Sequence, residues 1–172
     1  MALQRIAHDG YGVIEPNQVT FTRDGRIEAQ VPASVDVENG MLLAVDTAKG
    51  EVRFPKADED CLIGLNYTSE KNYNQFTPGL KNFKVVAGVC PRIGFLTNGE
   101  SFTTNAVCYD GDIKTLDPKT GVFAGAYTGD EAALKGLIHI GQDNDAIVGP
   151  VLKVTKVTTM PDGQVGVEFQ VQ

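Results

Sequence analysis

Met41–Phe54, MLLAVDTAKGEVRF, reads as strand, turn, strand. Five apolar residues from Met41 to Val45 run into Asp46, and Thr47–Gly50 supplies turn chemistry. Val52 and Phe54 then alternate with Glu51 and Arg53. A short apolar run closed by turn residues and followed by period-two alternation is the pattern of a β-hairpin. A looser echo lies at Ala106–Ala126, AVCYDGDIKTLDPKTGVFAGA: an apolar start, Asp-containing turns, then Gly, Val and Phe. Hairpins converge on such patterns, so a common origin of the two segments stays open.

Similar signals extend outward in both directions. Strands are expected at about 18–22 and 27–31, with Asp24-Gly25 between them as a tight hairpin turn. Others are expected at 61–67, 84–96 (broken by Pro91), 105–109, 113–116 and 136–141. The pair 151–158 and 164–171 is joined by Thr159–Gly163 and reads as a C-terminal hairpin. One short helix is expected at 129–136, capped by Thr128 or Asp130 and stopped by Gly136. Short strands at spacings of about 8–12 residues argue for an all-β fold, mainly β with one short helix, as a β-sandwich or barrel-like domain.

Residues 1–15 are irregular but carry Leu3, Ile6, Tyr11, Val13 and Ile14. They read as an extended N-terminal arm, too apolar to be a free tail, packed on a neighbour or back on its own domain. Residues 16–172 read as a single β-rich domain with a possible subdivision near 97–105. Residues 71–83 look like a long polar and aromatic loop.

The chain has 172 residues, a net charge of -7, 42% hydrophobic and 22% charged residues. That composition is globular, and the charge argues against a nucleic-acid or anionic-membrane partner, because Lys81 and Lys84 form the sole compact basic patch. The start of the chain lacks the apolar core of a signal peptide, and no apolar run reaches the roughly 18 residues of a membrane span. Synthesis in a cytoplasm is the expectation. The odd set Cys61, Cys90 and Cys108 reads as three reduced, buried thiols, with Cys61 and Cys90 in the core.

Catalytic signals are sparse. His8 and His139 are the two histidines, so a three-histidine metal site cannot be built. His139 lies between Ile138 and Ile140, on the opposite face of a strand. The cysteines lack CxxC spacing. Carboxylates cluster at 57–60, 110–112 and 143–145, none with the EF-hand pattern. Asp143 and Asp145 are the first candidates for an ion; otherwise these are Asp-rich turns that bond their own backbone. No phosphate-binding loop is present, and there is no Trp to make a sugar platform. The expectation is a protein that is not an enzyme and needs no metal or cofactor. Aromatic residues and arginine are enriched at interface centres, so the candidate contact residues are Leu3, Ile6, Tyr11, Tyr73, Phe76, Phe83 and Arg92.

Residues 35–70, VDVENGMLLAVDTAKGEVRFPKADEDCLIGLNYTSE, resemble a pattern in phage structural proteins encoded near the major capsid protein. The matching parts are Gly40–Asp46, Gly50–Phe54 and Leu62–Leu65. Residues 91–107, PRIGFLTNGESFTTNAV, resemble a second strand-rich element of the same proteins. The resemblance covers about residues 35–126 and implies a tailed-phage head decoration, or cement, protein. Its implied partners are the major capsid protein and further copies of itself, possibly as a trimer, on the capsid surface of the virion. Two other classes fit the residues: a tail-tube or head–tail joining subunit, and a carbohydrate-binding module or surface hydrolase using Asp110, Asp112, Asp143 or Asp145.

Overall fold

The computed structural model describes residues 2–68, 80–141 and 147–172. In chain order the strands are β1 (Gln4–Arg5), β2 (Ile14–Gln18), β3 (Ile27–Glu28), β4 (Leu42–Asp46) and β5 (Glu51–Arg53). There follow β6 (Leu62–Asn66), β7 (Ile93–Gly94), β8 (Ser101–Thr104), β9 (Val107–Tyr109) and β10 (Phe123–Ala126). The last are β11 (Ile138–Ile140), β12 (Leu152–Thr159) and β13 (Val165–Val171). One sheet has the order β1-β9-β11-β10-β12-β13-β8-β2, the other β3-β7-β6-β4-β5. The fold is all-β and sandwich-like. All named pairs are antiparallel except β9 with β11. Among the described residues no helix is long and apolar enough to cross a membrane.

The Met41–Phe54 hairpin forms as its sequence demands. Asp46 pairs with Glu51 and Val45 with Val52. Asp46 Oδ1 accepts the Lys49 N–H at 3.0 Å, and Gly50 takes the positive φ of 68° that closes the turn. Every residue of β4 is buried, which explains its unbroken apolar run. Successive side chains point to opposite faces. Leu42 joins the larger core with Leu65, Phe102, Val107, Ile138 and Phe169. Leu43 and Val45 join a second core with Val52, Ile93, Cys108 and Leu137.

The C-terminal hairpin supplies the longest pairing, from Leu152↔Val171 to Thr159↔Val165, with one bulge between Val154 and Lys156. Its inward face packs Val167 and Phe169 against Phe102 of β8, the Phe102 and Phe169 rings lying 5.7 Å apart.

Several sequence expectations are corrected. Asp24-Gly25 does not close a hairpin. Phe21–Asp24 forms one helical turn, α1, and Gly25 ends it at φ 72°. Phe21 is drawn into the core, 1% exposed, against Gly94 and the Tyr67 ring. Residues 113–116 are not a strand: Asp112 accepts the Lys114 N–H and turns Ile113–Thr115 into a 3-10 helix. The helix expected at 129–136 shrinks to a 3-10 turn at Ala132–Leu134, with no side-chain cap at its start. Within 84–96, strand structure is confined to Ile93–Gly94 and a bridge between Val85 and Val37. Cys90 is exposed and Cys61 partly exposed; only Cys108 is a core thiol.

Residues 2–15 pack back on their own domain. β1 pairs with β9, and β2 with β8. Between these strands Tyr11 N–H donates to Lys81 O and Val13 N–H to Asn105 Oδ1. Ile6, Val13 and Ile14 are buried. Around 97–105, β8 lies inside the larger sheet between β13 and β2.

Candidate functional site

A groove of about 710 Å³ lies at the turn end of the β4–β5 hairpin. The hairpin turn 47–50, the loop 56–61, Glu28 and Phe95 form its walls. Strand register places Arg53 opposite Ala44, and the next residues carry the chain back so that Glu59 meets the guanidinium. Arg53 Nη1 donates to Glu59 Oε2 at 2.5 Å and Nη2 to Oε1 at 3.0 Å. Arg53 also donates from Nε and Nη2 to Asp46 Oδ2 at 3.4 and 3.3 Å. Glu59 accepts further bonds from the Cys61 and Lys56 N–H groups at 3.1 and 3.3 Å.

The electrostatics follow from this packing. Burial opposes ionisation of Glu59, whose side chain is 1% exposed, but Arg53 and the Cys61 N–H outweigh it and hold the carboxyl at about 2. Asp46 is held below its ordinary value chiefly by the Lys49 N–H bond, with Arg53 adding to it. Arg53 is pushed up mainly by its bonds to Glu59. Desolvation first, and then the neighbouring Glu59, raise the Cys61 thiol to about 11. A thiol so raised stays protonated near neutrality and is a poor nucleophile. Glu59, Asp60 and Cys61 do bring ligand atoms within 4.8 Å of one another. Both Glu59 oxygens, however, are already held by Arg53. The Arg53–Glu59–Asp46 bonds fix the loop 56–61 and shape the groove.

A second ion pair anchors α1. Arg26 Nη2 donates to Glu100 Oε1 at 2.9 Å, and Glu100 also accepts from the Thr20 N–H and hydroxyl and from the Thr97 N–H. A third joins Arg5 to Glu38 by two bonds of 3.2 and 2.6 Å, and Glu38 accepts the Gly12 N–H as well. Asp112 and Asp117 each accept the N–H two residues on, as turn caps. His139 is half-buried with its ring 6.0 Å from Tyr127, and burial lowers its pKa.

The sequence-derived contact residues are dispersed. Ile6 lies in the larger core and is withdrawn from any surface, because β1 seats it beside β9. Leu3 and Phe83 are half-buried against the second core. Tyr11 is half-buried beneath Lys84, whose Nζ sits 5.1 Å from the ring centroid. The Arg92 side chain is exposed. Tyr73, Phe76, Asp143 and Asp145 lie outside the described residues.

Sequence reasoning missed the three large apolar side chains that the described residues leave exposed: Leu62 at 70%, Val86 at 49% and Val89 at 50%. Leu62 sits in the groove, whereas its apolar run reads as wholly buried strand. It also missed the Arg53 network, for which the run of acids at Asp58–Asp60 beside a lone strand arginine is the available signal. No protein-family model matches this chain, no curated protein matches it, and no solved structure matches it.

Proposed function

We propose that this chain is a virion structural protein that decorates and stabilises the outer surface of a phage capsid through protein–protein contacts, with the major capsid protein and its own copies as partners. The observation that carries the reading is where the family-like residues lie. Gly40–Asp46, Gly50–Phe54 and Leu62–Leu65 are separated in sequence, yet β4 pairs with β5 on one side and β6 on the other. The first stretch of the resemblance therefore falls on one continuous structural unit rather than on scattered turns. The commitment of Arg53, Glu59 and Asp46 to one another is consistent with it. A surface built for contact needs fixed loops and exposed apolar side chains, and Leu62, Val86 and Val89 supply the latter.

Cosedimentation tests the reading. The purified chain is mixed with expanded capsids assembled from a tailed-phage major capsid protein of the same source. Saturable binding at a fixed ratio of chain to capsid subunit is expected. No binding to expanded capsids, with the chain incorporated into purified tails, would overturn it.

A further inference from the structure

Leu62, Val86 and Val89 fall into two patches of different character. Leu62 lies in the groove beside Phe95. Of the ionic groups there, Arg53 is taken by Glu59, and Lys49 faces Asp46 at 3.6 Å. Glu28, Asp58 and Asp60 then stand against Lys56 alone, so the groove is apolar at one point and negative at its rim.

Val86 and Val89 sit on a loop that is held as a rigid knob. Val85 and Val37 exchange backbone bonds of 2.9 Å. Gly88 N–H donates to Ala33 O, and Ala33 N–H to Val89 O. Ala87 N–H donates to Asp36 Oδ1 at 3.0 Å. The exposed Arg92 follows the knob and forms no ion pair among the described residues.

The two patches are laterally separate. Leu62 pairs with Val45, Val45 with Val52, Val52 bridges Ala33, and Ala33 bonds Val89. Leu62, Val86 and Val89 are all exposed within the single chain, so the knob does not fill its own groove.

The geometry points to a heterologous contact between two copies of this chain, in which the Val86–Arg92 knob of one sits in the Leu62 groove of the next. Apolar side chains meet, and the Arg92 cation faces the acidic rim. The two patches differ, so each copy uses both, and a contact of this kind builds a closed ring or an open fibre according to its rotation. The inference deepens the self-association in the reading above; capsid attachment is a separate property and is measured separately.

The test is light scattering on the full chain over a concentration series, with reductant present so that the exposed Cys90 forms no disulfide. Wild type is expected to exceed the 18.4 kDa single-chain mass as concentration rises. Leu62→Ser and the double variant Val86→Ser/Val89→Ser should each weaken association by about tenfold or more. Mixed one to one, they should form a pair of twice the chain mass, since one retains the knob and the other the groove. Arg92→Glu should also weaken association, and Asp60→Lys in a partner copy should restore it; these exposed sites serve if a serine variant melts early. A wild type that stays at single-chain mass throughout overturns the inference, as do variants that associate like wild type or a mixture that forms no pair. Capsid binding by a chain that does not self-associate would sink the knob-and-groove contact and leave the decoration reading standing. Self-association as described, without capsid binding, would do the reverse.

Discussion

Arg53 and Glu59 form a two-pronged ion pair, Nη1–Oε2 at 2.5 Å and Nη2–Oε1 at 3.0 Å, with side chains 13% and 1% exposed. Removing Arg53 leaves the buried Glu59 charge unpaired, while removing both leaves only Asp46, which Lys49 still holds. Arg53→Met is expected to cost about 3 kcal/mol. Arg53→Met combined with Glu59→Leu should cost clearly less than the sum of the single changes. Urea denaturation of the four proteins checks this; strict additivity would show that the pair is not coupled.

The same pair sets the acid limit of the fold. The Glu59 carboxyl falls from an ordinary 4.5 to about 2 on folding. A group lowered in the folded state contributes stability above its unfolded value and loses it as pH drops through the folded one. Stability should therefore decline from about pH 4.5 down to about pH 2, with Glu100 and Asp46, both also lowered, acting in the same direction. Melting temperatures of wild type and Glu59→Gln across this range are the check. The variant's curve should be flatter, and parallel curves would refute the assignment to Glu59.

Gly40 is a joint between the sheets. It has a φ of 82°, and a Cβ there would lie 1.9 Å from Thr104 Oγ1. That hydroxyl donates to Val13 O and accepts the Ala106 N–H, so it has no room to yield. Gly40→Ala should destabilise the protein by about 3 kcal/mol or more, combining backbone strain with overpacking. Gly25→Ala also has positive φ but open space around it, and should cost only about 1 kcal/mol. Equal shifts in the urea midpoint for the two variants would contradict this account.

The three thiols should separate by rate. Cys90 is exposed, Cys61 is raised to about 11 and Cys108 to about 12, the last two mainly through desolvation. A thiol reagent at pH 8 should modify Cys90 first, Cys61 slowly and Cys108 only on unfolding. Cys90→Ser should remove the fast phase. A fast phase that survives that change would mean that Cys61 is activated rather than suppressed.

Strands with a strong local pattern were legible in the sequence: the Met41–Phe54 hairpin, β6 and the β12–β13 hairpin all lie where alternation and turn residues put them. The misses came where long-range contacts overrode local signals. Asp24-Gly25 read as a hairpin turn, but Phe21 is buried, Thr20 bonds Glu100, and the residues before Gly25 form a helical turn that Gly25 ends at positive φ. Residues 129–136 have helix-forming composition but no side-chain cap and little to bury beyond Leu134. The groove was illegible for a similar reason. Nothing local distinguishes Leu62, which faces outward, from Leu65, which is wholly buried. Nor does local pattern reveal that Glu59, amid a run of acids, is the one folded onto Arg53.

The most direct test of the account is electron cryo-microscopy of capsids assembled with and without this chain. The account predicts added density on the outer surface of the shell, regularly placed relative to the capsid subunits, into which the two-sheet fold fits. Bare shells, or density for the chain in the tail alone, would contradict it.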